Sequence, residues 1–255
     1  MVHKLWRRKP FKTKNLYERK MKDMTNTTNS MRVEKKYHFT SLRKSVEGEG
    51  EEINDWVSDV DVTVTEIVGE QYGLFSWSCA PLLSQFILHQ QTTIRNKHIL
   101  EIGCGTALPG ITAAKLGARI TLSDGHDFVN CRENCLAGVR ANGVEVSWVH
   151  LTWGRVTKEI VDLPPIDFII ASDCFYDEKD FEDIMFTLAF LFDKNPTAIF
   201  WTSYQLRDCD YSIERLLTKW GMVCREISVS EFAVENDPNV SSAHDVRLFE
   251  IKKVL

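Results

Sequence analysis

The stretch Ile99-Leu100-Glu101-Ile102-Gly103-Cys104-Gly105-Thr106-Ala107-Leu108-Pro109-Gly110 passes from an apolar, strand-like run through a glycine-bearing turn into the start of a helix. Glycine lets the backbone approach a ligand closely, and a helix start offers unpaired N–H groups. A dinucleotide fingerprint of the form G-x-G-x-x-G needs glycine where Leu108 stands, which disfavours a pyrophosphate site and, with it, a nicotinamide oxidoreductase. Asp124 ends the next apolar run 19 residues after Gly105, a spacing at which an acidic side chain can accept hydrogen bonds from ribose hydroxyls. Turn and acceptor together point to a nucleoside ligand. A purely structural glycine turn would use the same residues without one.

From Lys97 onward, β-branched runs alternate with helical stretches, the pattern of a parallel sheet covered on both faces. Strands are expected at His98–Ile102, Arg119–Asp124, Glu145–Leu151, Asp167–Ser172 and Ala198–Ser203. The helix after the fourth places Phe181, Ile184, Met185, Leu188, Leu191 and Phe192 on one stripe, and the helix after the fifth does so with Ile213, Leu216, Leu217 and Trp220. After Gly221 two strands, Val223–Val229 and Val246–Lys252, follow without an intervening helix, which predicts an antiparallel hairpin at one sheet edge. Upstream, Val60, Val62 and Val64 alternate with polar residues as a half-exposed strand does, order is expected to begin near Trp56, and Gly69 and Gly73 punctuate the segment that follows. Ser78 is placed to cap a helix carrying Leu82, Leu83, Phe86 and Ile87 on one side. The fold class is therefore α/β: a Rossmann-like, doubly wound seven-stranded sheet with an antiparallel C-terminal edge hairpin.

Charge divides the chain. Residues 1–44 hold 14 Lys/Arg against 3 Asp/Glu, while the remainder holds 17 against 33. The region 1–50 has no sustained periodicity and reads as a basic, mostly disordered tail, leaving 51–255 as the folded domain. A solvated tail, a nuclear-import signal in Arg7-Arg8-Lys9 through Lys14, and a mitochondrial presequence all fit it; Pro10, Glu18 and Asp23 count against the last. The acidic body is poorly suited to nucleic acid phosphates and well suited to basic peptides. Seven cysteines, an odd number without framework spacing, read as reduced thiols of an intracellular protein. No metal site is expected from Cys104, Cys131 and Cys135, because no second pair has ligand spacing and His126 alone cannot complete a set. The longest strongly apolar stretch, Ile184 to Phe192, is far short of the roughly 18 residues a membrane span needs, and no apolar run of about 7–15 residues follows the basic N-terminus. A soluble protein without a secretory signal is expected.

Five segments together resemble the seven-strand, S-adenosylmethionine-dependent methyltransferases, and within them the lysine methyltransferase group called methyltransferase family 16. They are Phe75-Ser76-Trp77-Ser78-Cys79-Ala80, Glu101 to Gly110, Ser123-Asp124, Leu151-Thr152-Trp153-Gly154, and Ala171-Ser172-Asp173-Cys174-Phe175-Tyr176. The likeness covers about residues 60–255. It departs from the pattern at Ala107, where many relatives carry a third glycine, a small-for-small change expected to tighten the turn without closing it. The resemblance implies S-adenosylmethionine as cofactor, with Gly103, Cys104 and Gly105 bordering its methionine portion, Glu101 near its amine, Trp77 contributing from the N-terminal side, Asp124 holding the ribose and Trp153 beside the adenine. The resemblance also implies that Ser172 contacts the cofactor and that the D-x-x-Y element Asp173-Cys174-Phe175-Tyr176 lies next to the sulfonium methyl, with Asp173 and Tyr176 as catalytic residues. By residue type alone, a Trp after a strand is more often core, and Asp173 also fits a helix cap.

Asp177, Glu178 and Asp180 extend the negative charge past Asp173, or simply begin a solvated helix. Tyr204, Gln205 and Arg207 either line the substrate mouth or belong to a surface loop. One branch of the family, matched by Thr152-Trp153-Gly154 with Asp173 to Phe181 and Ser203-Tyr204-Gln205-Leu206-Arg207, implies arginine of a histone as acceptor; lysine of a non-histone protein is the alternative. The acidic clamps of dedicated protein arginine methyltransferases are not recognisable here. A non-catalytic module that binds S-adenosylmethionine and partners chaperone or regulatory proteins is a rival of another class. A nuclear and cytoplasmic location is expected.

Overall fold

The computed structural model describes residues 31–42, 57–68, 74–125, 129–205, 213–233, 237–241 and 245–254. The expectations at Trp56, Gly69, Gly73, His126, Leu206 and Arg207 lie outside those residues, as does the tail before residue 31. Two antiparallel strands, β1 (Met31–Thr40) and β2 (Asp59–Val68), form a hairpin of their own, with Tyr37 opposite Val62 and Phe39 opposite Val60.

The presence of β1 places ordered structure at Met31–Thr40, ahead of Trp56, where order is expected to begin. Its inward positions alternate as Val33, Lys35, Tyr37 and Phe39, a strand pattern that the surrounding cationic composition obscures. Lys35 fits among them because its ammonium lies 4.8 Å from the Tyr37 ring centroid, 5.4 Å from that of Phe75 and 3.5 Å from the Glu66 carboxylate.

The main sheet contains β3 (His98–Glu101), β4 (Arg119–Asp124), β5 (Ser147–His150), β6 (Phe168–Ser172), β7 (Ile199–Gln205), β8 (Met222–Ile227) and β9 (Val246–Lys253), in the order β5-β4-β3-β6-β7-β9-β8. The first five are parallel, whereas β9 runs antiparallel to both β7 and β8. The C-terminal pair is thus the expected antiparallel edge, with its second strand inserted against β7 and its first strand outermost. Successive residues of one strand face opposite cores. Ile99, Ile170 and Trp201 pack with helices α1 (Cys79–His89), α2 (Leu108–Lys115) and α3 (Val129–Ala141) and with the hairpin. Leu100, Ile169 and Phe200 pack with α4 (Phe181–Lys194) and α5 (Glu214–Lys219). Burial on both faces explains why these strands read as continuous apolar runs.

All six stripe residues of α4 are buried, as are Leu82, Leu83, Phe86 and Ile87 of α1. Ser78 precedes α1 without capping it: its backbone is already helical (φ −58, ψ −19), and its side chain makes no cap bond. No helix among the described residues is long and apolar enough to cross a membrane.

The chain passes from β3 outward to β4 and β5, then returns to β6 on the other side of β3. A crevice opens at such a reversal, outside the carboxyl ends of the strands.

Candidate active site

The turn after β3 is held by its own surroundings. Gly103, Gly105 and Ala107 have φ of +59, +53 and +59, a left-handed region in which only glycine is free of Cβ strain. Cys104 N donates to Ser123 O at 3.0 Å, Gly105 N to Asp124 Oδ2 at 3.0 Å, and Gly110 N to Glu101 Oε2 at 2.9 Å. Pro109 occupies the first turn of α2, where a missing N–H costs nothing.

Glu101 is fully buried, and burial pushes its carboxyl well above the usual carboxylate range. One oxygen anchors the start of α2; the other, Oε1, has no hydrogen-bond partner among the described residues. Glu101 thus ties the end of β3 to the start of α2. Asp124 is also buried and shifted upward by desolvation, against which the N–H groups of Gly105 and Gly125 act. The Cys131 thiol shares its one proton between Asp124 Oδ2 at 3.3 Å and Gly105 O at 3.4 Å. A carboxylate has about four lone-pair directions, so Asp124 keeps acceptor capacity beyond these bonds. Cys104 turns its thiol towards Cys131 and Cys135 in the interior, and burial raises it well above the ordinary thiol range.

Three loops meet at Gly103. A Cβ there would stand 2.9 Å from Cys174 Sγ, in the loop after β6, and 3.1 Å from Trp153 Cζ2, in the loop after β5. Trp153 is half-buried, and its ring lies 6.3 Å from that of Tyr176. Asp173, buried and directly after Ser172, takes φ of +60, while its N–H is fixed to Ser203 O at 2.8 Å. Asp and Asn tolerate this region better than other side chains, but holding it still costs energy, and such strain concentrates at functional sites.

Tyr176 is 37% exposed, and its phenol is pushed up to about 12, first by burial and then by neighbours including Asp180. At neutral pH it is a hydrogen-bond donor and not a base. Asp177, not Asp173, caps the helical turn that follows, accepting from Lys179 N at 3.2 Å and pairing with Lys179 Nζ at 2.8 Å. Tyr204 is buried, edge-on to Phe175 with ring centroids 6.1 Å apart, and so belongs to the core beneath this loop.

The N-terminal side is tied in through the segment that carries Trp77. Ser76 Oγ bonds Thr106 Oγ1 at 2.9 Å, and Ser76 N donates to Glu66 Oε1 at 3.2 Å. Trp77 is half-buried and edge-on to Phe75. Sequence reasoning missed the contacts made by Ser76, Thr106 and Cys174, since small polar side chains carry no periodic signal.

Residues 57–215 match the family described as lysine methyltransferase, methyltransferase family 16. The chain belongs to that family. It is an S-adenosylmethionine-dependent protein methyltransferase. It is 44% identical to the histone-arginine methyltransferase METTL23 of Xenopus laevis over 69% of its own length and 76% of the relative's. Against METTL23 of Homo sapiens the identity is 41%, covering 64% of this chain and 87% of the relative. It is also 37% identical to the protein N-lysine methyltransferase METTL21A of Danio rerio, over 45% of this chain and 53% of that one. Among solved structures, an rRNA guanine methyltransferase (RsmC) from T. Thermophilus in complex with AdoMet and guanosine aligns with a TM-score of 0.58 at 12% identity, covering 87% of this chain and about half (51%) of that one. That likeness speaks for the fold alone.

The residues present suit the family's methyl donor. Gly103 lets the loops carrying Cys174 and Trp153 come close to the turn, Asp124 is bonded to Gly105 of that turn at 3.0 Å with acceptor capacity to spare, and the indole of Trp153 presents a flat apolar face.

Proposed function

We propose that this methyltransferase modifies a cationic side chain of a basic protein, arginine of a histone, in the crevice between the loops after β3 and β6. The observation that carries the reading is the meeting of Trp153, Cys174 and the glycine turn at Gly103, with Asp173 beside them in a strained backbone. In this reading Gly103, Cys104 and Gly105 border the methionine portion through backbone, Asp124 takes the ribose, and Trp77, Trp153 and Ser172 wall the site. Glu101 acts by fixing the turn.

Bound there, S-adenosylmethionine supplies a methyl group made electrophilic by positive sulfur. The protein's task is then alignment, for which effective molarities reach ~10⁵–10⁸ M in favourable cases. Lysine titrates near ~10.4 and arginine above ~12, so either acceptor arrives as a cation. The Asp173 carboxylate binds that cation, orients its nitrogen and accepts its proton, while the protonated phenol of Tyr176 walls the channel. Asp177, Glu178 and Asp180 add negative charge at the mouth, in keeping with an acidic body that concentrates basic substrates.

The histone-arginine acceptor is favoured by the relatives named for it. Lysine of a non-histone protein is favoured by the METTL21A likeness. Incubation with labelled methyl donor, core histones and cell extract, followed by mass spectrometry, separates them. Methylarginine on a histone is expected; methyl-lysine on another protein moves the assignment, and no protein methylation overturns it. A nuclear and cytoplasmic location is proposed from Arg7-Arg8-Lys9 through Lys14. An unchanged nuclear fraction after deletion of residues 1–30 contradicts that role.

A further inference from the structure

We propose that Thr187, on α4, is a positioning residue that sets the indole of Trp153 and thereby tunes affinity for S-adenosylmethionine. The inference rests on the reading that Trp153 touches the bound nucleoside.

The loop after β5 turns sharply at Trp153-Gly154, where Gly154 takes φ of +76 and donates its N–H to Thr187 Oγ1 at 2.9 Å. That hydroxyl in turn donates to Asp183 O at 2.8 Å. A hydroxyl carries one proton, so with its proton given to Asp183 O it faces Gly154 as acceptor. Thr187 is buried, at 3% exposure, which keeps water from substituting freely for either bond. The fit is close from the other side too: a Cβ on Gly154 would stand 2.5 Å from Asp183 Oδ1. Beyond Gly154 the loop is exposed at Arg155 and Val156. The loop is therefore tied to α4 through Gly154, and through Trp153 it reaches the glycine turn and Tyr176. A shift at the first displaces the second.

Thr187→Val keeps the shape and removes the hydroxyl. Losing one such bond is expected to raise the dissociation constant for S-adenosylhomocysteine and the KM for S-adenosylmethionine roughly two- to tenfold, with kcat at saturation within about twofold. Thr187→Ser, which restores the hydroxyl but not the methyl, should recover wild-type affinity even if its Tm is lower. Affinity in Thr187→Val equal to wild type overturns the proposal, and so does failure of Thr187→Ser to recover affinity. Should Thr187→Val not fold, Gly154→Ala displaces the same contact from the loop and is expected to weaken binding; wild-type affinity there overturns the proposal equally. Trp153→Ala keeps the two readings apart. If it leaves S-adenosylhomocysteine binding unchanged, the nucleoside contact of Trp153 fails. If it weakens binding while Thr187→Val does not, only the positioning role fails.

Discussion

The turns after β3 and β6 meet at Gly103, and they are built differently. The turn after β3, Glu101 to Gly110, is closed by bonds to its own neighbours, from Gly110 N to buried Glu101 and from Gly105 N to buried Asp124. The turn after β6, Ser172 to Tyr176, starts from a strained Asp173 at φ +60 and ends at a tyrosine 37% exposed. The first spends its polar groups on its own shape and presents backbone to a ligand. The second spends backbone strain to present side chains. A protein divided this way should lose turnover when the second turn is altered, and lose cofactor binding or stability when the first is.

The largest expected effect is on turnover. Asp173→Asn keeps a residue type tolerant of left-handed backbone and removes the negative charge, so kcat should fall ~10²–10⁴-fold. S-adenosylhomocysteine affinity by calorimetry should stay within about threefold, and a comparable loss of affinity would erase the division between the turns. Gly110→Ala should destabilise by about 1–3 kcal/mol in a denaturant melt, because its Cβ would meet Glu101 Oε2 and lie 2.6 Å from Leu122 Cδ2. A wild-type melt would show that the first turn is not close-packed. Trp153→Ala should cost about 1–3 kcal/mol in S-adenosylhomocysteine affinity, the usual range for an aromatic ring stacked on a base.

Smaller effects follow from the buried carboxyl of Glu101. Its folded pKa is raised, so the native state holds a proton that the unfolded chain releases, and its contribution is full below the unfolded value near 4.5 and declines as pH rises through the folded value. Glu101→Gln should flatten the fall in stability with rising pH, read as unfolding free energy against pH. An identical slope would mean that the carboxyl is not desolvated. Ala107→Gly should be worth at most about 1 kcal/mol of stability, since relief of strain at φ +59 is partly offset by the greater freedom of unfolded glycine. A destabilised Ala107→Gly would contradict the strain assigned to that turn.

Legibility followed locality. The five parallel strands and the glycine turn were readable because apolar runs and punctuation lie in contiguous sequence; the limits of Arg119–Asp124 match those expected and the others differ by a few residues. β1 was hidden because Lys35 fills an inward place by lying over aromatic rings, which the count of apolar residues does not register. The insertion of β9 between β7 and β8 could not be read, since pairing between distant strands leaves no local trace. At the site, residue type and spacing led to Asp124, and the family resemblance led to Trp153, Asp173 and Tyr176. They did not reveal that Glu101 is fully buried, nor that Thr187, outwardly one more residue of an amphipathic helix, bonds Gly154. Burial and backbone contacts of that kind exist only once the chain has folded.

The most direct measurement is a crystal structure with S-adenosylhomocysteine bound. The ribose hydroxyls should lie on Asp124, the nucleoside should face Trp153, and the sulfur should point towards Asp173 across Gly103. A nucleoside seated elsewhere, or a sulfur directed away from Asp173, would contradict the account.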